Sequence, residues 1–154
     1  MNSTDSPYPS NHRYAIVVSR YHENITGKLL EGARKTLVNA GVPDSEITLV
    51  WVPGAWEIPL ATQRELGKKE IVAAITLGCV IRGETTHDQH INNAVSSALM
   101  ELSLKHNKPV AFGVLTVNSL EQAIHRSGGN VGNKGIEAAT AALAMVMLRS
   151  NESS

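Results

Sequence analysis

The densest run of chemistry-bearing side chains in this sequence is Gly78-Cys-Val-Ile-Arg-Gly-Glu-Thr-Thr-His87. Its first half is apolar and its second half polar, the pattern of a buried strand that ends and hands over to a helix. Gly83 allows the backbone to approach a ligand closely, and the free N–H groups of Glu84, Thr85 and Thr86 can face an anion at a helix N-terminus. Thr85 adds a hydroxyl donor. His87 adds a side chain that titrates near neutral pH and suits proton transfer. The same residues equally fit an ordinary helix start, with Thr86 and Gln89 as its capping box and an exposed histidine behind it.

Three further segments carry comparable groups. Pro53-Gly-Ala-Trp-Glu57 reads as a turn offering backbone donors, an aromatic face and a carboxylate. Glu57 also suits a helix dipole, and Trp56 also suits packing. Tyr21 follows a strand, where an aromatic either stacks on a flat ring or joins the core. Arg126 and Lys134 bracket the glycine-rich run Gly128-Gly-Asn-Val-Gly-Asn-Lys-Gly135, which fits either phosphate binding or a flexible loop.

Several chemistries find no support. No two glycines are separated by a single residue, so the dinucleotide fingerprint is missing, and neither a P-loop nor a Gly-x-Ser-x-Gly elbow occurs. The only aspartates are Asp5, Asp44 and Asp88, which disfavours a paired-carboxylate mechanism. His87 and His90 lie one turn apart but lack the His-Glu-x-x-His context of a zinc site. Cys79 is the only cysteine, which excludes an internal disulfide and a Cys-rich metal site.

Alternating strands and helices must position these groups. Residues 14–19, 47–52, 71–80 and 110–117 read as strands, the third almost wholly apolar as if covered on both faces. Helices are expected from Asn24, as N-cap, to a stop at Gly41 and Pro43; over residues 57–66; over 87–106 with a stripe of Ile91, Ala94, Val95, Ala98, Leu99 and Leu102; from Ser119 to about residue 127; and from Ile136 onward. Ser119 and Gln122 make a second capping box. Ile136, Ala139, Leu143, Val146 and Met147 are the expected inward face of the last helix. The pattern predicts an α/β fold, a three-layer αβα sandwich on a four-stranded parallel sheet, with ligands beyond the carboxyl ends of the strands.

At 154 residues the chain fits one domain, residues 13–150, between a polar arm (1–12) and a polar tail (151–154). Lys plus Arg and Asp plus Glu are 14 each, which argues against a general nucleic-acid binder. The longest apolar stretch is too short to span a bilayer, and residues 1–12 hold no apolar signal core, so the cytoplasm is the expected location.

Taken together, Val52-Pro-Gly-Ala-Trp-Glu-Ile-Pro59, Thr76 through His87, Phe112-Gly-Val-Leu-Thr116, Glu121-Gln-Ala-Ile124 and Gly132-Asn-Lys-Gly135 resemble the lumazine synthases in order and spacing. The resemblance covers residues 14–148 and implies a flavodoxin-like fold. It also implies condensation of 5-amino-6-(ribitylamino)uracil with 3,4-dihydroxy-2-butanone 4-phosphate, with no metal or organic cofactor. Carried over by position, Tyr21 stacks on the pyrimidine, Ala55, Trp56 and Glu57 line the ribityl chain, and Cys79, Val80 and Ile81 abut the ring. Glu84 and Thr85 contact phosphate, and His87 transfers protons. Phe112, Arg126 and Lys134 are lent by a neighbouring subunit.

Tyr21 stands where Phe or Trp is frequent in that family, Trp56 where Phe is frequent, and Asn130 where a basic residue is often found. The resemblance further implies pentamers, a 60-subunit shell of them, an N-terminal segment adding a strand to a neighbour's sheet, and possible partnership with riboflavin synthase. A flavin- or lumazine-binding module without catalysis is the alternative, since the same pocket accepts a related ring.

Overall fold

The computed structural model describes residues 12–83, 88–129 and 131–153. Four strands, β1 (Arg13–Ser19), β2 (Ile47–Val52), β3 (Ile71–Ile81) and β4 (Val110–Val117), form a single sheet in the order β2-β1-β3-β4. Every neighbouring pair in it is parallel. The chain therefore winds outward from β1 to β2, crosses back to β3 and continues to β4. This leaves a topological switch point between β1 and β3.

The helices are α1 (Glu23–Asn39), α2 (Ile58–Leu66), α3 (Asp88–His106), α4 (Leu120–His125) and α5 (Lys134–Ser153). They cover both sheet faces, which explains why β3 is apolar on both sides. On β3, Ala73, Ile75, Leu77, Cys79 and Ile81 join the core shared with Leu29 and Leu37 of α1 and Ala139, Leu143 and Val146 of α5. Ala74 and Val80 join the core on the other face, with Ile58 and Leu66 of α2 and Val95, Leu99 and Leu102 of α3. Each fully buried Ile or Leu contributes about 1.5–3 kcal/mol relative to exposure. Both faces thus hold the strand ends firmly in place. Among the described residues no helix is long and apolar enough to cross a membrane.

The four strands and the three-layer arrangement match the expectation, while several element ends differ. Asn24 is not the N-cap of α1. The helix begins two residues earlier, at Glu23, behind an N-cap His22 that is left-handed (φ 60°, ψ 49°) and makes no side-chain cap bond. A 3-10 turn over Ala55–Glu57 precedes α2, which starts at Ile58 with Pro59 in its first turn, where a missing N–H costs nothing. Ala94, expected inside, is exposed, and so is Ile136 at 46%. Between α4 and α5 the glycine-rich run forms a small antiparallel hairpin of β5 (Ser127–Gly129) and β6 (Gly132–Asn133) rather than an unstructured turn. The last helix runs through residues 151–153, which the sequence sets apart as a tail.

Candidate active site

Those expected site residues that the structure describes gather into two clefts. The first has a volume near 190 Å³ and is lined by Tyr21, Gly54, Ala55, Trp56, Glu57, Cys79, Val80, Ile81, Asp88 and Ile91. It lies at the carboxyl ends of β1, β2 and β3, where the strand order reverses. Two backbone bonds seat its walls: Arg20 N–H donates to Val52 O at 2.8 Å and Tyr21 N–H to Pro53 O at 3.1 Å. The segments after β1 and β2 thereby move as one.

Cys79, Val80 and Ile81 are buried and form the floor, while Tyr21 and Trp56 stand at the mouth, 57% and 60% exposed. A tryptophan that open packs little of this chain's own core. At Gly54 any Cβ would stand 3.3 Å from the Glu57 carboxylate oxygen Oε1, so the acid folds back over bare backbone. The cleft combines an apolar floor, two aromatic faces and carboxylates at its rim. That arrangement suits a flat heterocycle with a polar, hydroxylated arm.

The second cleft has a volume near 420 Å³ and is lined by Asn92, Phe112, Val114, Leu115, Thr116, Arg126, Val131, Lys134 and Glu137. It lies along β4, the sheet edge. Its local architecture follows from the glycine-rich run. The hairpin folds back so that Lys134 N–H donates to Arg126 O at 3.0 Å, and both residues line the cleft. Gly128 and Gly132 have φ of 113° and 111°, and a Cβ at Gly129 would lie 2.8 Å from His125 Cα. Glycine is therefore required at all three.

Asn133 caps α5, its Oδ1 accepting from Gly135 N–H at 2.8 Å and Ile136 N–H at 3.2 Å. Its Nδ2 donates to Lys28 O of α1 at 3.1 Å. Gly135 packs so closely that a Cβ would run into the Leu29 carbonyl. Gly132-Asn-Lys-Gly135 is thus a device that docks the start of α5 on α1 and leaves Lys134 facing the cleft. There Lys134 Nζ lies 3.9 Å from Glu137 Oε1.

Phe112, Arg126 and Lys134 share no cleft with Tyr21, Ala55, Trp56, Glu57, Cys79, Val80 and Ile81. Gly83 has a positive φ, 86°. Glu84, Thr85, Thr86 and His87 lie outside the described residues, as does Asn130. Four lining residues were not singled out from the sequence: Asp88 and Ile91 in the first cleft, Asn92 and Glu137 in the second. Helical spacing was the available signal. Asp88 and Ile91 are one turn apart where α3 leaves β3, and Glu137 is one turn from Lys134.

A parallel sheet with an aromatic-flanked cleft at its switch point and a cleft carrying Arg126 and Lys134 along its edge has the layout of an α/β enzyme. Comparison with known proteins narrows this class. Residues 11–150 match the family model of 6,7-dimethyl-8-ribityllumazine synthase. The chain is also 50% identical, over 97% of its length and 96% of the relative's, to the 6,7-dimethyl-8-ribityllumazine synthase of Rhodopirellula baltica. The chain belongs to the 6,7-dimethyl-8-ribityllumazine synthase family, a family of transferases in riboflavin biosynthesis.

Proposed function

We propose that this chain condenses 5-amino-6-(ribitylamino)uracil with 3,4-dihydroxy-2-butanone 4-phosphate to 6,7-dimethyl-8-ribityllumazine, the penultimate step of riboflavin formation. The 5-amino group attacks the ketone and water leaves as the imine forms. Loss of a carbon-bound proton expels phosphate. The ribitylamino nitrogen then attacks the carbonyl that results, and a second water leaves as the ring closes.

The observation that carries this reading is the division of the residues between two clefts of complementary chemistry. The first cleft holds the pyrimidine against Tyr21, with Cys79, Val80 and Ile81 beneath it and Ala55, Trp56 and Glu57 along the ribityl chain. The second supplies Phe112 against the ring, Arg126 on the phosphate and Lys134 near it. Since one copy keeps these groups apart, the second cleft serves the first cleft of a neighbouring copy. Glu84 and Thr85 hold phosphate and His87 moves protons; these three roles rest on the family resemblance. Positioning carries most of the rate, since two bound reactants become effectively one.

Shared sites need at least one neighbouring copy, and a closed ring of copies joined head to tail, as in the pentamer, meets that need at every site. The short glycine-rich connection between α4 and α5 resembles that of shell-forming members of the family, which supports a 60-subunit shell of pentamers, and a cytoplasmic location with riboflavin synthase as a partner fits that role. The alternative reading is a flavin- or lumazine-binding module without catalysis. Incubation of the purified protein with both substrates separates the readings. Lumazine absorbance should rise well above the uncatalysed rate, and a rate equal to the uncatalysed one would leave only the binding module.

A further inference from the structure

We propose that His22 is a positioning residue that holds the Tyr21 ring in the plane that receives the pyrimidine. The inference rests on the reading of Tyr21 as the stacking residue. Among the described residues only His22 and Asn107 combine a side chain with positive φ. Asn107 follows the end of α3, where a left-handed residue commonly terminates a helix. His22 instead stands at a helix start, directly behind Tyr21, and that location calls for another reason.

The backbone of this turn is pinned from both sides. The His22 carbonyl accepts from Ile25 N–H and Thr26 N–H, both at 2.9 Å, and Arg20 and Tyr21 donate to the β2 exit. The buried Thr26 hydroxyl donates to Ser19 O at 2.7 Å, closing the turn over the end of β1. These backbone bonds leave the Tyr21 ring itself to be oriented, 57% exposed at the cleft mouth. Successive side chains on a strand point to opposite faces, and on a helix they diverge as well. A left-handed residue brings two neighbours together.

The outcome is an edge-to-face pair, with the Tyr21 and His22 ring centroids 4.5 Å apart and their planes at 67°. His22 is not among the residues that line the cleft, and its ring contact with Tyr21 is the link by which it bears on a ligand there. Histidine is among the few side chains that tolerate this backbone, which makes the arrangement attainable without glycine.

The test is steady-state kinetics of the full-length assembled protein carrying His22→Asn, which keeps the left-handed backbone but removes the ring, beside Tyr21→Ala. His22→Asn should raise KM for the ribitylaminouracil about threefold to tenfold, the range of one aromatic pair, while KM for the butanone phosphate, kcat and Tm stay at wild-type values. An unchanged pyrimidine KM in His22→Asn, alongside a raised one in Tyr21→Ala, would overturn the role of His22 and keep that of Tyr21. An unchanged KM in both would overturn the stacking reading itself. A lowered Tm with both KM values raised together would make His22 a purely structural residue and overturn the proposal.

Discussion

Replacing Asn133 probes how the glycine-rich hairpin sets up the cationic cleft. Its Oδ1 accepts two N–H groups from the first turn of α5, and its Nδ2 ties α5 to Lys28 O of α1. Asn133→Ala removes a helix cap, about 0.5–2 kcal/mol, and one interhelical hydrogen bond, about 1 kcal/mol net, for about 1.5–3 kcal/mol in total. At about 2–4 °C per kcal/mol for a chain of this size, Tm should fall by about 3–12 °C. Asn133→Asp keeps the capping acceptor and loses only the donor to α1, so its loss should be about 1 kcal/mol, or about 2–4 °C. Both variants are compared with wild type by differential scanning calorimetry at matched protein concentration, because association shifts Tm. A Tm within 1 °C of wild type in Asn133→Ala would refute the reasoning. Equal losses in the Ala and Asp variants would show that the cap contributes nothing.

Arg126→Ala removes the guanidinium beside Lys134, and with it a charge-assisted contact of about 1.5–3 kcal/mol. Its kcat/KM for the butanone phosphate should drop about 10- to 100-fold, with pyrimidine binding unchanged; an unaltered phosphate-substrate KM would remove Arg126 from that role. Asp44 receives Arg34 Nε at 2.7 Å and Nη2 at 2.8 Å, and these bonds hold its carboxyl below its ordinary value of 3.8. A depressed folded-state value adds stability above pH 3.8, lost as pH falls through the folded value. Asp44→Asn should therefore lower Tm near neutral pH by an amount that shrinks with acid and with salt. A difference independent of pH would show that the pair contributes nothing through its charge.

Strands and most helices were legible because apolar runs and helical spacing report directly which faces are covered. Residues 71–80 read as a strand covered on both faces, and the structure packs helices on both sides of it. The capping box was half right: Ser119 Oγ accepts from Gln122 N–H, but Gln122 Oε1 takes its bond from Asn118 N–H rather than from Ser119. Local propensity also missed His22, because Asn24 offered a better cap than a left-handed histidine. Ala94 and Ile136 read as buried by period and lie exposed, since spacing within one helix does not tell how much of its face the sheet covers. The lining of the first cleft was legible through the strand ends. Asp88, Ile91, Asn92 and Glu137 were not, because their membership depends on how α3 and α5 cross the sheet.

Co-assembly of two crippled chains tests most directly whether the clefts are halves of one site. A Tyr21→Ala/Glu57→Ala chain lacks the first cleft and keeps the second, and an Arg126→Ala chain has the reverse. Co-expressed at equal levels with different affinity tags, they form mixed rings in which about one site in four joins two intact halves. Doubly purified mixed assemblies should thus recover about a quarter of wild-type lumazine formation, while each variant by itself stays near its own residual rate. Activity that never exceeds the mean of the two separate variants would contradict the shared site and place all of the chemistry within a single copy.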